Sequence, residues 1–194
     1  MTDDGIGRLL VASLHQSIGD VLPQRLEYYE HWLSPMGLKE GRSGLAPLNA
    51  VLSFLRQEGQ PAYDQVMATA GRYSAEWHFE EAGGARGLRL LPRSLRRRAA
   101  LRRARGLLVA AFASHGVRTT ARRGAGTLTL SGSVFCGVRT SWPWPTCAYV
   151  ASAVRRLLEL QGLTADVRVE HCHAQGAATC TCLIDFEPPA PGAP

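Results

Sequence analysis

Between Ala82 and Leu158 the chain has no acidic residue. The same stretch holds 15 arginines, so its positive charge has no local counterpart. Residues 1–81 carry a balance of −5 and residues 159–194 a balance of −4, within a net charge of +6. The basicity therefore belongs to one block. No run approaches the ~18 consecutive apolar residues of a membrane span. The start, Met1-Thr2-Asp3-Asp4, lacks the charged-then-apolar order of a secretory signal. A soluble, cytoplasmic protein is expected. No Gly-x-Gly-x-x-Gly or other cofactor fingerprint is present, so any reductive chemistry would need a borrowed hydride source. Five cysteines without a signal peptide argue against a disulfide framework, and no Cys-x-x-Cys pair marks an ordinary zinc module. No internal repeat is found.

What is present reads as α+β. The apolar fraction of 45% can supply a sizeable core. Ile6, Leu9, Leu10, Leu14, Ile18, Val21 and Leu22 recur near helical spacing until Pro23. A shorter helix over 24–33 would turn Leu26, Tyr29 and Leu33 to one face, and the Gly-rich stretch 37–44 reads as a loop. Pro47 opens a helix with Leu48, Val51, Leu52 and Leu55 inward, closing near Gly59. After Pro61 a longer helix carries Tyr63, Val66, Met67, Ala70, Tyr73 and Trp77 along one side, until Gly83-Gly84 breaks it. Ser94 to about Ser114 suits an Ala/Leu/Arg helix with Leu95, Ala99, Leu108, Ala111, Phe112 and His115 on a shared face.

The pattern changes after Gly116. Val117–Arg123 and Thr127–Val138 form one expected hairpin around Gly124-Ala125-Gly126. Trp142-Pro143-Trp144-Pro145 is a stiff connector. A helix then runs from Thr146 or Cys147 to Leu160. Ala165–Cys172 and Thr179–Phe186 form a second hairpin around Gln175-Gly176. The natural closure is a helical N-terminal half with an antiparallel sheet, hairpin-helix-hairpin, packed on helices. Residues 1–60 are expected to be integral to the domain, 61–187 to form its ligand-binding part, and 188–194 to be a disordered tail.

Cys136, Cys147, Cys172 and Cys180, with Cys182 just behind, lie beside strand-like runs or turns that could fold together. Such thiols bind a metal, support redox chemistry or fill a small core. Cys180 and Cys182 would share one strand face. His171 and His173 flank Cys172. His78 and His115 are better placed for a pocket, where either could supply an axial nitrogen to a metallated tetrapyrrole.

The segments Val134-Phe135-Cys136-Gly137-Val138 and Pro145-Thr146-Cys147-Ala148-Tyr149, with the Cys-x-Ala-x-Gly-x-x-x-Cys run from Cys172 to Cys180, resemble the vinyl-reductase-type (4-vinyl reductase) ligand-binding domain. The likeness is to its bacteriochlorophyll-synthesis branch, and spans roughly residues 60–187. That family shares its fold with transport-particle subunits of the Golgi and with effector domains of aromatic-sensing activators. The resemblance implies an apolar pocket, a homodimer and a hydrophobic or tetrapyrrole-like ligand. The residues expected to line the pocket are Tyr73, Trp77, His78, Arg98, Phe112, His115, Phe135 and Tyr149. From the activator branch it implies a structural zinc on Cys147, Cys172 and Cys180 with an acid. Glu170 is the nearest acid, but the family's position for it is Val169 here, and Cys136 could take its place.

The function this implies is a carrier or accessory protein in (bacterio)chlorophyll or porphyrin-type metabolism, non-catalytic rather than an enzyme. The alternatives are a reductase of a tetrapyrrole vinyl group using an external hydride donor, and a zinc-containing sensory or adaptor domain. The arginines Arg93, Arg96, Arg97, Arg98, Arg102, Arg103 and Arg105 fit a solvated face, an acidic protein partner, anionic lipid or ligand carboxylates. Nucleic acid ranks below these, because aromatics do not interleave with the arginines. Glu76, Glu80 and Glu81 are candidates to neutralise part of the block.

Overall fold

The first helix forms where the sequence repeats apolar residues every three or four positions. In a computed structural model describing residues 7–30, 33, 45–84, 91–112, 116–122, 124–137 and 142–186, helix α1 spans Arg8–Val21 and buries Leu10, Val11, Leu14 and Ile18. Pro23 ends it in a single 3-10 turn, Pro23–Arg25, and a short helix α2, Leu26–Glu30, follows. Helix α3, Leu45–Gln57, buries Leu48, Val51, Leu52 and Leu55. Gly59, at φ 96, turns the chain directly into α4, Gln60–Glu81. Helices α5, Arg93–Phe112, and α6, Ala148–Leu160, complete the helical part among the described residues.

The strands are β1 Val117–Arg122, β2 Ala125–Leu130, β3 Ala165–His171 and β4 Cys180–Phe186. All neighbours are antiparallel, in the order β1-β2-β4-β3. Each hairpin is thus a local pair, and β2 joins β4 through Leu130↔Cys180 and Leu128↔Cys182. Alternation sends Gly126, Leu128 and Leu130 of β2 and Cys180, Cys182 and Ile184 of β4 to the buried face. The α5 helix packs on β1 and α6 on β3, while α4 lies along α6 and α1 along α4. The fold is α+β, with a four-stranded antiparallel sheet and helices against its buried face.

Two boundaries differ from the sequence reading. The second strand ends at Leu130 rather than near Val138, because Gly132 takes φ 76 and Val134–Cys136 closes into a 3-10 turn. That turn sends Phe135 and Cys136 into the interior. The buried stripe of α5 is Ala100, Leu101, Ala104, Leu107, Leu108, Ala111 and Phe112, whereas Leu95 is 48% exposed. Arginines surround the first half of this helix, so its apolar side was ambiguous from spacing alone.

Helices α4 and α6 approach closely at Gly71 of α4. A Cβ there would lie 2.4 Å from the Tyr149 carbonyl oxygen and 2.9 Å from the Ala153 nitrogen, both backbone atoms of α6. Neither can swing aside as a side chain would. Gly71→Ala is therefore expected to destabilise the protein by about 1–3 kcal/mol, as overpacking does. A thermal melt checks this, and an unchanged midpoint would mean that the two helices separate freely. Polar links cross the same contact. The Tyr149 hydroxyl donates to Ser74 Oγ at 2.6 Å, Ser74 to Ser13 Oγ at 2.8 Å, and Ser13 to the Leu10 carbonyl at 3.0 Å. All three side chains are buried, so each donor needs this relay.

Candidate metal centre

Four backbone devices bring four thiols to one point. Cys136 ends the 3-10 turn after β2. Cys147 caps α6, its carbonyl accepting from the amides of Val150 and Ala151 at 3.0 and 3.3 Å. Cys172 follows β3 in extended conformation, and Cys180 opens β4. The loop between these last two is wound tight. The Cys172 carbonyl accepts from Gln175 and Ala177, and Gly176 sits at φ 92. The glycine of the Cys-x-Ala-x-Gly-x-x-x-Cys run is thus the residue that permits the left-handed turn.

The sulfur of Cys136 lies 3.5 Å from those of Cys147 and Cys172 and 3.4 Å from that of Cys180. The Cys147–Cys172 separation is 3.8 Å, and all four sulfurs fall within 4.8 Å of one another. Zinc–sulfur bonds of about 2.3 Å in a tetrahedron place sulfurs about 3.8 Å apart. The arrangement therefore fits a four-thiolate zinc site with little movement. It does not single out one pair, as a redox disulfide would. Exposure of the four residues is between 0 and 4%, so a metal held here would have no open position for a substrate.

The surroundings favour thiolates. The amide of Thr146 donates to Cys172 Sγ at 3.4 Å, and that of His173 to Cys180 Sγ at 3.3 Å. Oxygens of Thr146 and Ser133 approach Cys136 and Cys147 at 3.3 and 3.7 Å. A hydrogen bond from Cys147 pulls the Cys136 thiol down to about 6, and hydrogen bonds from Cys136 and its neighbours hold Cys172 well below the ordinary thiol range. Cys147 and Cys180 move upward, first through the hydrogen bond each shares with Cys136. Without a cation the cluster keeps part of its protons. A divalent metal supplies the charge that allows all four to ionise. Cys182 stands apart: it is fully buried, and burial pushes it up to about 12. It fills the sheet's core face.

Glu170 is not part of this centre. It falls at the bulge between Val169 and His171, its side chain is 42% exposed, and its carboxylate lies 3.9 Å from His171 Nε2. The fourth corner is Cys136, carried inward by the 3-10 turn.

The residues expected to line a pocket separate into groups. Phe112, Phe135 and Tyr149 meet in one buried cluster, with ring centroids 5.0–5.8 Å apart, so they fill the interior between α5, α6 and the 3-10 turn. Tyr73 and Trp77 stack on each other at 5.6 Å on α4, and the Tyr73 hydroxyl donates to Asp20. His78 is half-buried near the end of α4, where burial lowers its pKa. Arg98 is exposed on α5 and lines two shallow hollows against β1. His115 lies outside the described residues, as do residues 188–194. Glu76, expected to neutralise part of the basic block, pairs with Arg156 of α6 at 2.8 Å, away from the arginines of α5.

Sequence reading missed Thr146, which approaches two of the thiols, and Tyr63 and Arg56, which bond the backbone next to them. Arg56 carried a signal, being four residues after Leu52 on the apolar stripe of α3. A charge on that stripe is out of pattern.

No family model matches the chain, and no curated protein sequence matches it. Among solved structures, the chain is similar to a trafficking protein particle complex subunit 3 from Naegleria fowleri, covalently bound to palmitic acid. The TM-score is 0.51 at 12% identity, over 92% of this chain and 96% of that one. The likeness establishes a shared fold with transport-particle subunits. No described helix is long and apolar enough to cross a membrane.

Proposed function

We propose that this chain is a non-catalytic binding module, held together by a structural zinc on Cys136, Cys147, Cys172 and Cys180. Its cargo is a hydrophobic molecule bearing carboxylates, of tetrapyrrole type. The convergence of four buried sulfurs at zinc-like spacing carries the reading. Held by these four residues, zinc would supply positive charge and tie the second hairpin to α6 and to the turn after β2. A closed four-thiolate shell is the form structural zinc takes. The Cys-x-Ala-x-Gly-x-x-x-Cys loop relates the chain to vinyl-reductase-type domains, and the shared fold includes a subunit that carries a fatty acid.

The place for a ligand's acidic edge is a hollow of about 260 Å³ lined by Arg97, Arg98, Arg122 and Phe186. The Arg97 guanidinium lies 4.9 Å from the Phe186 ring centroid. A flat ring with carboxylates suits one aromatic wall and three cations. Arg98→Ala is expected to weaken porphyrin binding at least tenfold, since a hydrogen bond to a charged group contributes about 1.5–3 kcal/mol. Fluorescence quenching on titration with a dicarboxylic porphyrin checks this.

The deciding experiment is metal analysis of the purified protein, then addition of porphyrin with and without NADPH. One zinc per chain and a shifted Soret band without NADPH consumption support the reading. Full thiol titration with no zinc removes the metal. Turnover of a vinyl porphyrin by NADPH and this protein alone would replace the carrier with a reductase.

A further inference from the structure

Arg56 is the largest fully buried side chain among the described residues, at 2% exposure. One Nη2–H donates to the Phe135 carbonyl. Its Nε and Nη1 have no hydrogen-bond partner, and the ion pairs among the described residues do not include it. The guanidinium carbon lies 5.9 Å from the Tyr63 ring centroid and 5.3 Å from that of Trp142. A permanent cation set between two rings, with no carboxylate paired to it among the described residues, is strongly unfavourable by itself. Arginine does not escape by losing its proton. Some negative charge must offset it.

The residues it touches lead to the thiols. The Phe135 carbonyl that Arg56 grips also accepts from Thr146 Oγ1 at 3.0 Å. Thr146 Oγ1 in turn lies 3.3 Å from Cys136 Sγ and 3.8 Å from Cys172 Sγ. Tyr63, under the guanidinium, donates to the Thr146 carbonyl at 3.1 Å, and Cys147 is the next residue. Arg56 is thus bonded to the residue before Cys136 and packed on the residue that holds the one before Cys147. Zn²⁺ with four thiolates carries a net charge of −2. Such a centre is as unfavourable in a dry core as the lone arginine, and their charges are opposite.

We propose that Arg56 is the built-in counter-cation of the four-thiolate centre, halving its net charge and restraining its sulfurs from leaving the metal. This rests on the zinc reading above. The first measurement therefore separates the two: wild-type protein without zinc overturns both, whereas zinc bound with no dependence on Arg56 overturns this one alone. Arg56→Gln keeps a donor for the Phe135 carbonyl and removes the charge, and Arg56→Lys keeps the charge. Chelator competition is expected to show zinc bound about 10–100-fold more weakly in Arg56→Gln, the range for residues that support metal ligands. Arg56→Lys should stay within a few-fold of wild type. Cobalt-loaded protein gives a second reading. Removing the positive charge raises the sulfur lone pairs, so the thiolate-to-cobalt band moves to longer wavelength in Arg56→Gln and stays in place in Arg56→Lys. Equal weakening in both variants, or an unmoved band in Arg56→Gln, would show that Arg56 acts by shape and not by charge. Should Arg56→Gln fail to fold, adding Cys136→His is expected to restore folding with zinc, because imidazole takes one charge off the centre. A double variant as unfolded as the single one overturns the assignment.

Discussion

Replacing Cys172 by serine, or stripping zinc with a strong chelator, is expected to lower the melting temperature by about 8–16 °C. A metal present at 1,000 times its dissociation constant stabilises the folded form by about 4.1 kcal/mol. For a chain of this size each kcal/mol moves the midpoint by about 2–4 °C. The loss should be local before it is global. Cys172 and Cys180 bracket the loop of the second hairpin, and Cys136 and Cys147 bracket the segment that includes Trp142 and Trp144. Among the described residues, the hydrogen bonds that link these two segments are single ones, such as that from the Trp142 amide to the Ala174 carbonyl at 2.8 Å. The packing of α1 on α4 does not involve the cysteines. Hydrogen exchange should therefore rise first in 133–147 and 171–181 and stay slow in α1 and α4. Cys182→Ala is the control: it removes a buried thiol from the same strand face and should leave the zinc content at the wild-type level. A melting curve indifferent to chelator would mean that the thiols are core filling.

The physical reason for this division is visible in what the sequence could disclose. Periodicity is a local signal, and the helices that bury Leu10, Leu14 and Ile18 or Leu48, Leu52 and Leu55 were legible from it. So were both hairpins, because Gly124 and Gly176 mark their turns. The α+β class followed. The order β1-β2-β4-β3 was not legible, because the pairing of Leu130 with Cys180 joins segments 50 residues apart through no local rule. The turn that redirects Cys136 was hidden in a run of strand-like residues, while Glu170 stood as a candidate because the resemblance implied an acid as the fourth ligand. Arg56 escaped notice because a single charge within an apolar stripe is commonly a snorkelling surface residue. Only its enclosure by Tyr63, Trp142 and Phe135 shows otherwise. The separation of Tyr73 and Trp77 from Phe112, Phe135 and Tyr149 depends on helix rotation, which spacing on α4 alone leaves free.

Phe135→Ala is expected to have the second largest effect, a loss of about 3–5 kcal/mol with weakened zinc binding as well. The stability term comes from the ring. Phe135 is fully buried against Phe112 at 5.4 Å and Tyr149 at 5.0 Å, and its removal leaves a cavity that two rigid rings and the backbone of α6 cannot close. The metal term comes from position. The ring anchors the 3-10 turn Val134–Cys136, whose last residue is the one thiol of the four not attached to α6 or to the second hairpin. Its carbonyl also receives Arg56 and Thr146. Phe112→Ala separates the two terms. Phe112 belongs to the same aromatic cluster, but it stands on α5 and meets the turn edge-to-face at the Phe135 ring without being part of it. Its truncation should lower stability by a similar amount and leave zinc affinity near the wild-type value. Chelator competition on the two variants, each below its own melting point, reads the difference. Phe135→Leu should recover most of both losses, since it refills the space behind Cys136. Equal zinc affinity in Phe135→Ala and Phe112→Ala would mean that Cys136 is held by Arg56 and Thr146 alone, and that the aromatic cluster serves the core without positioning the metal.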